Sequence, residues 1–305
     1  MSRNKFIPIM LVAVLVIAGV VYTTYAPESN IETYPTEAEK ITDAPVTEEN
    51  HEVAEDKKVD NTLDFNVNLA DDKYSTLNSK NTGWGFKKQK GLPPDIYNST
   101  QKMFEEYNTY YMDKRGGKVL YLTFDEGYEN GYTANILDVL KEKQVPAAFF
   151  VTGPYLKKQT ELVDRMVNEG HIVGNHTVNH PNLAKADLKT VYDELNGLNE
   201  IYKEKYGENM TYMRPPEGEY SEKLLSYVSD MGYKTILWSF AYRDWEVDNQ
   251  KGEQYAFDQV TPYLHDGAIV LLHAVSADNA KALGRIIDYA REQGYVFKSL
   301  DDMFK

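Results

Sequence analysis

Two histidines four residues apart, His176 and His180 in H-T-V-N-H, have the types and spacing to share a metal. At i and i+4 two imidazoles can point the same way from one helical turn. Taken alone the pair is weak, since such spacing also arises by chance on polar loops. T-F-D-E-G, Thr123 to Gly127, offers carboxylates for a third position. Two histidines and one carboxylate leave room for water and substrate, which is a catalytic rather than a structural pattern. Asn175, just before the pair, is a candidate to orient it.

Asp125 and Glu126 are adjacent acids that repel each other unless something holds them. A metal on one and an arginine on the other would do so; the plainer alternative is a solvated acidic turn closed by Gly127. Arg214 opens R-P-P-E-G, whose proline pair stiffens the backbone and sets the direction of the guanidinium. Such a guanidinium lowers a neighbouring carboxylate's pKa and orients it, which suits a base. Asp244 and Trp245 offer a carboxylate and a flat apolar wall. His273 ends the apolar run G-A-I-V-L-L-H. A lone histidine there is usually a core residue, but beside a metal site and an orienting acid it becomes a general acid. His51, His171 and His265 have no such companions and read as structural or exposed. The 24 tyrosines suit sugar stacking and ordinary packing equally.

The elements that must position these residues begin at Lys118. Seven short apolar runs read as strands: 119–124, 146–152, 171–174, 212–214, 235–239, 268–272 and 296–299. Six are followed by helical patterns near 132–143, 159–169, 186–205, 221–231, 253–264 and 277–293. This alternation predicts a parallel sheet, either doubly wound or closed. The polar candidates fall after several different strands, which a barrel would focus on one mouth. An open sheet would gather them at one switch point instead. The expectation is therefore an α/β barrel.

Composition bounds the partners. The chain has 305 residues and a net charge of −14, the wrong sign for a nucleic-acid reader. With no cysteine there is no disulfide framework and no thiolate site. Arg3 and Lys5 precede an uncharged apolar run from Phe6 to Tyr22. Residues 1–26 are expected to be an N-terminal membrane anchor, favoured over a cleaved signal peptide, and either places the rest outside the cytoplasm. Residues 27–60 carry eleven acids against three lysines and few large apolar groups. They are expected to form a disordered acidic linker. Residues 61–117 have no readable chemistry and are expected to pack on the barrel formed by 118–305. No protein partner can be inferred.

T-F-D-E-G, H-T-V-N-H, R-P-P-E-G, R-D-W and I-V-L-L-H, in this order and spacing, resemble the polysaccharide deacetylases, the NodB-homology domains of carbohydrate esterase family 4. The resemblance runs from about Lys118 to Phe304. N-T-G-W-G-F at 81–86, D-E-G-Y-E-N-G-Y at 125–132, D-N-Q-K-G at 248–252 and the S-L-D-D-M near the end are similar to the branch of muramic acid de-N-acetylases that supply the muramic delta-lactam of spore cortex. It implies a distorted (β/α)7 barrel, a divalent metal (zinc first, with cobalt or manganese as alternatives) and peptidoglycan glycan strands as substrate. By the resemblance Asp125 is the general base, and Glu126, His176 and His180 are the metal ligands. Arg214 tethers Asp125, Asp244 tunes His273 or its neighbours, and His273 is the general acid. Trp245 and Leu271 wall the acetyl pocket, with Tyr128 and Pro216 as further substrate contacts. Two positions depart from the family pattern. Glutamate stands at 126 where aspartate is usual, and Ala241 replaces the first aspartate of D-x-x-D-W. The competing readings are deacetylation of N-acetylglucosamine in peptidoglycan, of chitin oligomers or of acetyl xylan, and a non-catalytic glycan-binding homologue. An iron oxygenase with the same ligand types normally needs an antiparallel double sheet, which the β/α alternation opposes.

Overall fold

The computed structural model describes residues 63–68 and 71–305. The expected anchor and acidic linker lie outside these residues. Among the described residues no helix is long and apolar enough to cross a membrane.

The strands in chain order are β1 (Thr82–Gly83), β2 (Thr109–Tyr110), β3 (Val119–Glu126), β4 (Ala147–Val151), β5 (Ile172–Asn175), β6 (Tyr212–Met213), β7 (Glu219–Tyr220), β8 (Lys234–Ile236), β9 (Ala268–His273) and β10 (Val296–Phe297). The helices are α1 (Asp72–Thr76), α2 (Asn98–Glu106), α3 (Thr133–Lys143), α4 (Gly153–Lys158), α5 (Thr160–Asn168), α6 (Leu188–Tyr206), α7 (Glu222–Asp230), α8 (Glu253–Val260) and α9 (Ala277–Glu292). Several boundaries are set by caps that satisfy the first free N–H groups of a helix. Asp187 accepts from Thr190 at 2.7 Å to start α6, and Gly207 ends it with φ +80°. Ser221 and Ser276 cap α7 and α9 in the same way.

An eight-stranded parallel sheet runs β10-β3-β4-β5-β6-β8-β2, with β9 also paired to β3. It curls until the chain beyond β8 meets β9 through a single bridge, Phe240 to Val270. Ser239 N–H donates to Ile269 O at 3.0 Å and Leu271 N–H to Phe240 O at 2.9 Å. The structure is thus a curled half-barrel rather than an evenly closed seven-stranded one. Two- and three-residue strands such as β6 and β8 are too short to carry a ladder around the full circle, and Pro215 and Pro216 stop β6. β10 pairs only with the first two residues of β3, and β2 enters the sheet from the 61–117 segment.

Both faces of β3 are buried, as expected for a parallel strand covered on each side. Leu120, Leu122 and Phe124 pack into the layer between sheet and helices. Tyr121 faces the interior of the curl with Phe150, Tyr212, Ile236 and Ile269. Residues 63–68 and α1 supply apolar groups beside α6 and α7. Trp84, after β1, donates its indole N–H to Trp238 O at 2.8 Å.

Candidate active site

The alternation along β3 sends Thr123 and Asp125 inward. Both meet the guanidinium of Arg214, which is wholly buried just after β6. Its Nη1 donates to Asp125 Oδ1 at 2.7 Å and its Nη2 to Thr123 Oγ1 at 2.9 Å. Its Nε donates to Ile236 O at 2.8 Å, and its Cζ lies 4.2 Å from the Phe150 ring centre. A buried cation held by this many partners is fixed in orientation. Asp244 makes none of these bonds; backbone carbonyls, Asp125 and Thr123 hold the guanidinium. Burial pushes the Asp125 carboxyl up, but Arg214 and the nearby His176 and His273 outweigh it and hold the pKa below its ordinary value. Burial pulls Arg214 down, opposed by Asp125.

On the neighbouring strand, His273 at the end of β9 is in register with Asp125 and is held by Asp244. The carboxylate takes His273 Nδ1 at 2.7 Å and the His273 backbone N–H at 2.8 Å. Asn279 on α9 donates to the same carboxylate at 2.6 Å. Occupying Nδ1 in this way leaves Nε2 as the ring nitrogen without that tie. Burial lowers the His273 pKa, yet Asp244 more than reverses this, so the net shift is upward. Trp245 packs edge-on at 5.4 Å from the His273 ring and is 48% exposed, with its remaining face toward solvent.

His176 follows β5. Its Nδ1 lies 2.8 Å from Arg214 O, which leaves Nε2 bare, 3.6 Å from Asp125 Oδ2 and beyond hydrogen-bond range. Burial drags its pKa down to about 4, despite Asp125, so the ring is neutral at pH 7. The His180 ring sits 4.8 Å away, edge to face. The pair is not on a helix: Thr177 and His180 have φ of +70° and +59°, a left-handed turn. Asn175 builds it, accepting from Thr177 N–H at 2.9 Å and donating to Leu195 O at 2.8 Å.

Glu126 does not join this group. On β3 it faces away from Asp125, wholly buried near Tyr155 and Glu129. Neither of its oxygens makes a hydrogen bond of ordinary geometry. Burial, with Glu129 and Asp125 adding repulsion, raises its pKa well above the carboxylate range. Among the described residues no three His, Cys, Asp or Glu side chains are grouped to hold a metal. The imidazole pair has the chemistry of a metal site, with one ring tethered and its other nitrogen open. The expected three-ligand centre completed by Glu126 does not fit.

The cleft has a volume of about 1220 Å³. Asp125, His176, His180 and His273 line it, with Tyr128, Trp245 and Leu271 among its walls. Pro216 is buried and does not line the cleft, whereas Glu217 and Gly218 after it do. Sequence reasoning missed the part played by Thr123, although it opens T-F-D-E-G, and by Asn279, which has no motif signal. It also missed Glu217, whose φ of +60° marks a constrained turn at the cleft edge. Trp84 and Phe86 reach the cleft from the N-terminal extension.

Comparison with known proteins adds to this geometry. Residues 112–236 match the family model for polysaccharide deacetylase. The chain is similar to the peptidoglycan-N-acetylmuramic acid deacetylase PdaA of Bacillus subtilis, 46% identical over 222 residues, covering 72% of this chain and 84% of that protein. The solved structure of Bacillus subtilis PdaA, a family 4 carbohydrate esterase, superposes with a TM-score of 0.72 at 44% identity, covering 74% of this chain and 97% of that one. A Listeria monocytogenes peptidoglycan-N-acetylglucosamine deacetylase is 33% identical over 187 residues, covering 61% of this chain and 39% of that protein.

Proposed function

Because the chain belongs to the polysaccharide deacetylase family, we propose that it hydrolyses the N-acetyl group of muramic acid in peptidoglycan glycan strands, on the route to muramic delta-lactam. The observation that carries the chemistry is a base and an acid facing one cleft, each fixed by its own buried partner. Asp125, kept ionised by Arg214, takes the proton of an attacking water. The carbonyl carbon becomes tetrahedral, and the backbone N–H of Glu217, which follows two prolines that have none, meets the developing oxyanion. His273, kept protonated by Asp244, gives its Nε2 proton to the leaving nitrogen as the C–N bond breaks. Acetate and a free amino sugar result. Trp245 and Leu271 enclose the acetyl methyl group, and Tyr128, 54% exposed, offers a ring face to a sugar. The muramic preference is supported by the 46% identity to a muramic acid deacetylase.

Work on this substrate places the protein outside the cytoplasm at the cell wall, anchored in the membrane or secreted. The test is mass spectrometry of glycan strands, some with peptide-free muramic acid, after incubation with the protein. Loss of one acetyl from peptide-free muramic acid is expected. Loss from glucosamine instead would make this a glucosamine deacetylase, and retention of strands without any loss would make it a glycan-binding homologue. The same assay after chelation, with zinc, cobalt or manganese restored, measures what a metal at the histidine pair contributes.

A further inference from the structure

Three short segments lead from the reaction cleft to a second cavity of about 290 Å³. His180, Gly218 and Trp84 line the cleft; three residues along the chain from each, Leu183, Ser221 and Asn81 line the second cavity. Three residues of extended chain span at most about 10 Å, so the cavities are neighbours along three separate segments. Two of the segments are β1 and β7, paired Thr82 to Tyr220 and Gly83 to Glu219.

The lining of this cavity has a definite chemistry. Lys185 and Lys223 face it with Ser79, Asn81 and Ser221, over an apolar floor that includes Leu183. No acid lines it, although the chain carries a net charge of −14. Among the described residues neither ammonium group has an ion-pair partner. Asn81 Oδ1, on a lining residue, is buried without a hydrogen bond. Two unpaired cations, two hydroxyls and an apolar floor suit a carboxylate carried on a small, partly apolar body.

We propose that this cavity is a second subsite that binds a carboxylate on the same glycan strand, at a sugar near the one being deacetylated. The proposal rests on the peptidoglycan reading above. Two sources offer the same group: the lactyl carboxylate of a peptide-free muramic acid, and a carboxylate of a stem peptide. A neutral chitin oligomer offers neither.

The experiment measures binding of fluorescently labelled glycan strands to the full chain by anisotropy. Peptide-free strands, peptide-bearing strands and strands with every carboxylate amidated are compared at several lengths. Long strands with carboxylates are expected to bind about tenfold more tightly than amidated ones, and the double variant Lys185→Ala/Lys223→Ala to lose that difference. Lys185→Arg/Lys223→Arg should retain it. In turnover the alanine pair should raise KM for long strands and leave kcat unchanged. An effect confined to peptide-free strands assigns the lactyl group; one confined to peptide-bearing strands assigns the stem. Equal wild-type binding of amidated and carboxylated strands would overturn the subsite without requiring any variant. A protein that binds strands but releases no acetate from any would overturn the deacetylase reading, while the binding comparison still decides the subsite.

Discussion

Asp125 and Glu126 are one peptide bond apart on β3, and their carboxyl pKa values shift in opposite directions. Both are buried. Asp125 faces the interior of the curl, where Arg214 meets it at 2.7 Å. Glu126 faces the helical side, where the acid Glu129 and the hydroxyl of Tyr155 lie near and no cation does. Burial alone would neutralise both, so the difference is the guanidinium. A strand that alternates its side chains can hold two acids in two states without separating them in sequence.

The largest effect should come from removing that guanidinium. Arg214→Ala leaves Asp125 buried and unpaired, and thermal or denaturant unfolding should show a loss of about 3–5 kcal/mol. Asp125→Asn keeps the shape but removes the proposed base, and kcat for acetate release should fall by about 10³-fold. Glu126 separates the two sides more finely. His176→Ala should abolish activity and any zinc binding seen by calorimetry, whereas Glu126→Ala should keep zinc affinity near wild type. Equal loss of zinc in both would mean that Glu126 turns toward the histidines when metal arrives.

A second pair extends the contrast. Asp244 raises His273 above the usual histidine value, so the protonated acid is present at low pH and is lost as pH rises through the raised pKa. Asp244→Asn removes what raises it and leaves burial, which lowers it. The alkaline limb of kcat should therefore move to lower pH, with kcat down by about 10²-fold. An unmoved limb would break the assignment of His273 as the acid.

The smallest effect is expected at Glu126→Gln, with activity within about twofold of wild type. A carboxyl whose folded pKa is raised stabilises the fold fully below its unfolded pKa and loses that contribution as pH climbs through the folded value. Glutamine does not ionise, so its stability advantage over Glu126 should grow from about pH 4.3 upward, measured by melting at several pH values. A constant difference would mean that Glu126 is not the raised group.

Much of the fold was readable because short apolar runs and helical patterns alternate with clear periodicity. Helix α4 escaped because Gly153-Pro154 reads as a turn, although proline is welcome in a first helical turn. β2 escaped because two residues carry no periodic signal. The placement of Glu126 was in principle legible: in T-F-D-E, period two sets Asp125 with Thr123 and Glu126 with Phe124. Asn279 was not, since its bond to Asp244 spans 35 residues.

The sequence by itself determined which residue types stand at strand ends, and with them Asp125, His273 and Arg214 as candidates. Motif spacing carries that much because the chemistry needs particular side chains at particular strand ends. Only the tertiary structure decided which of two adjacent carboxyls meets the guanidinium, and that His176 and His180 share a left-handed turn rather than a helix. It also decided that two lysines 38 positions apart line one cavity beside the cleft. These depend on which face of a strand is covered and by what, and burial and charge pairing act through space rather than along the chain.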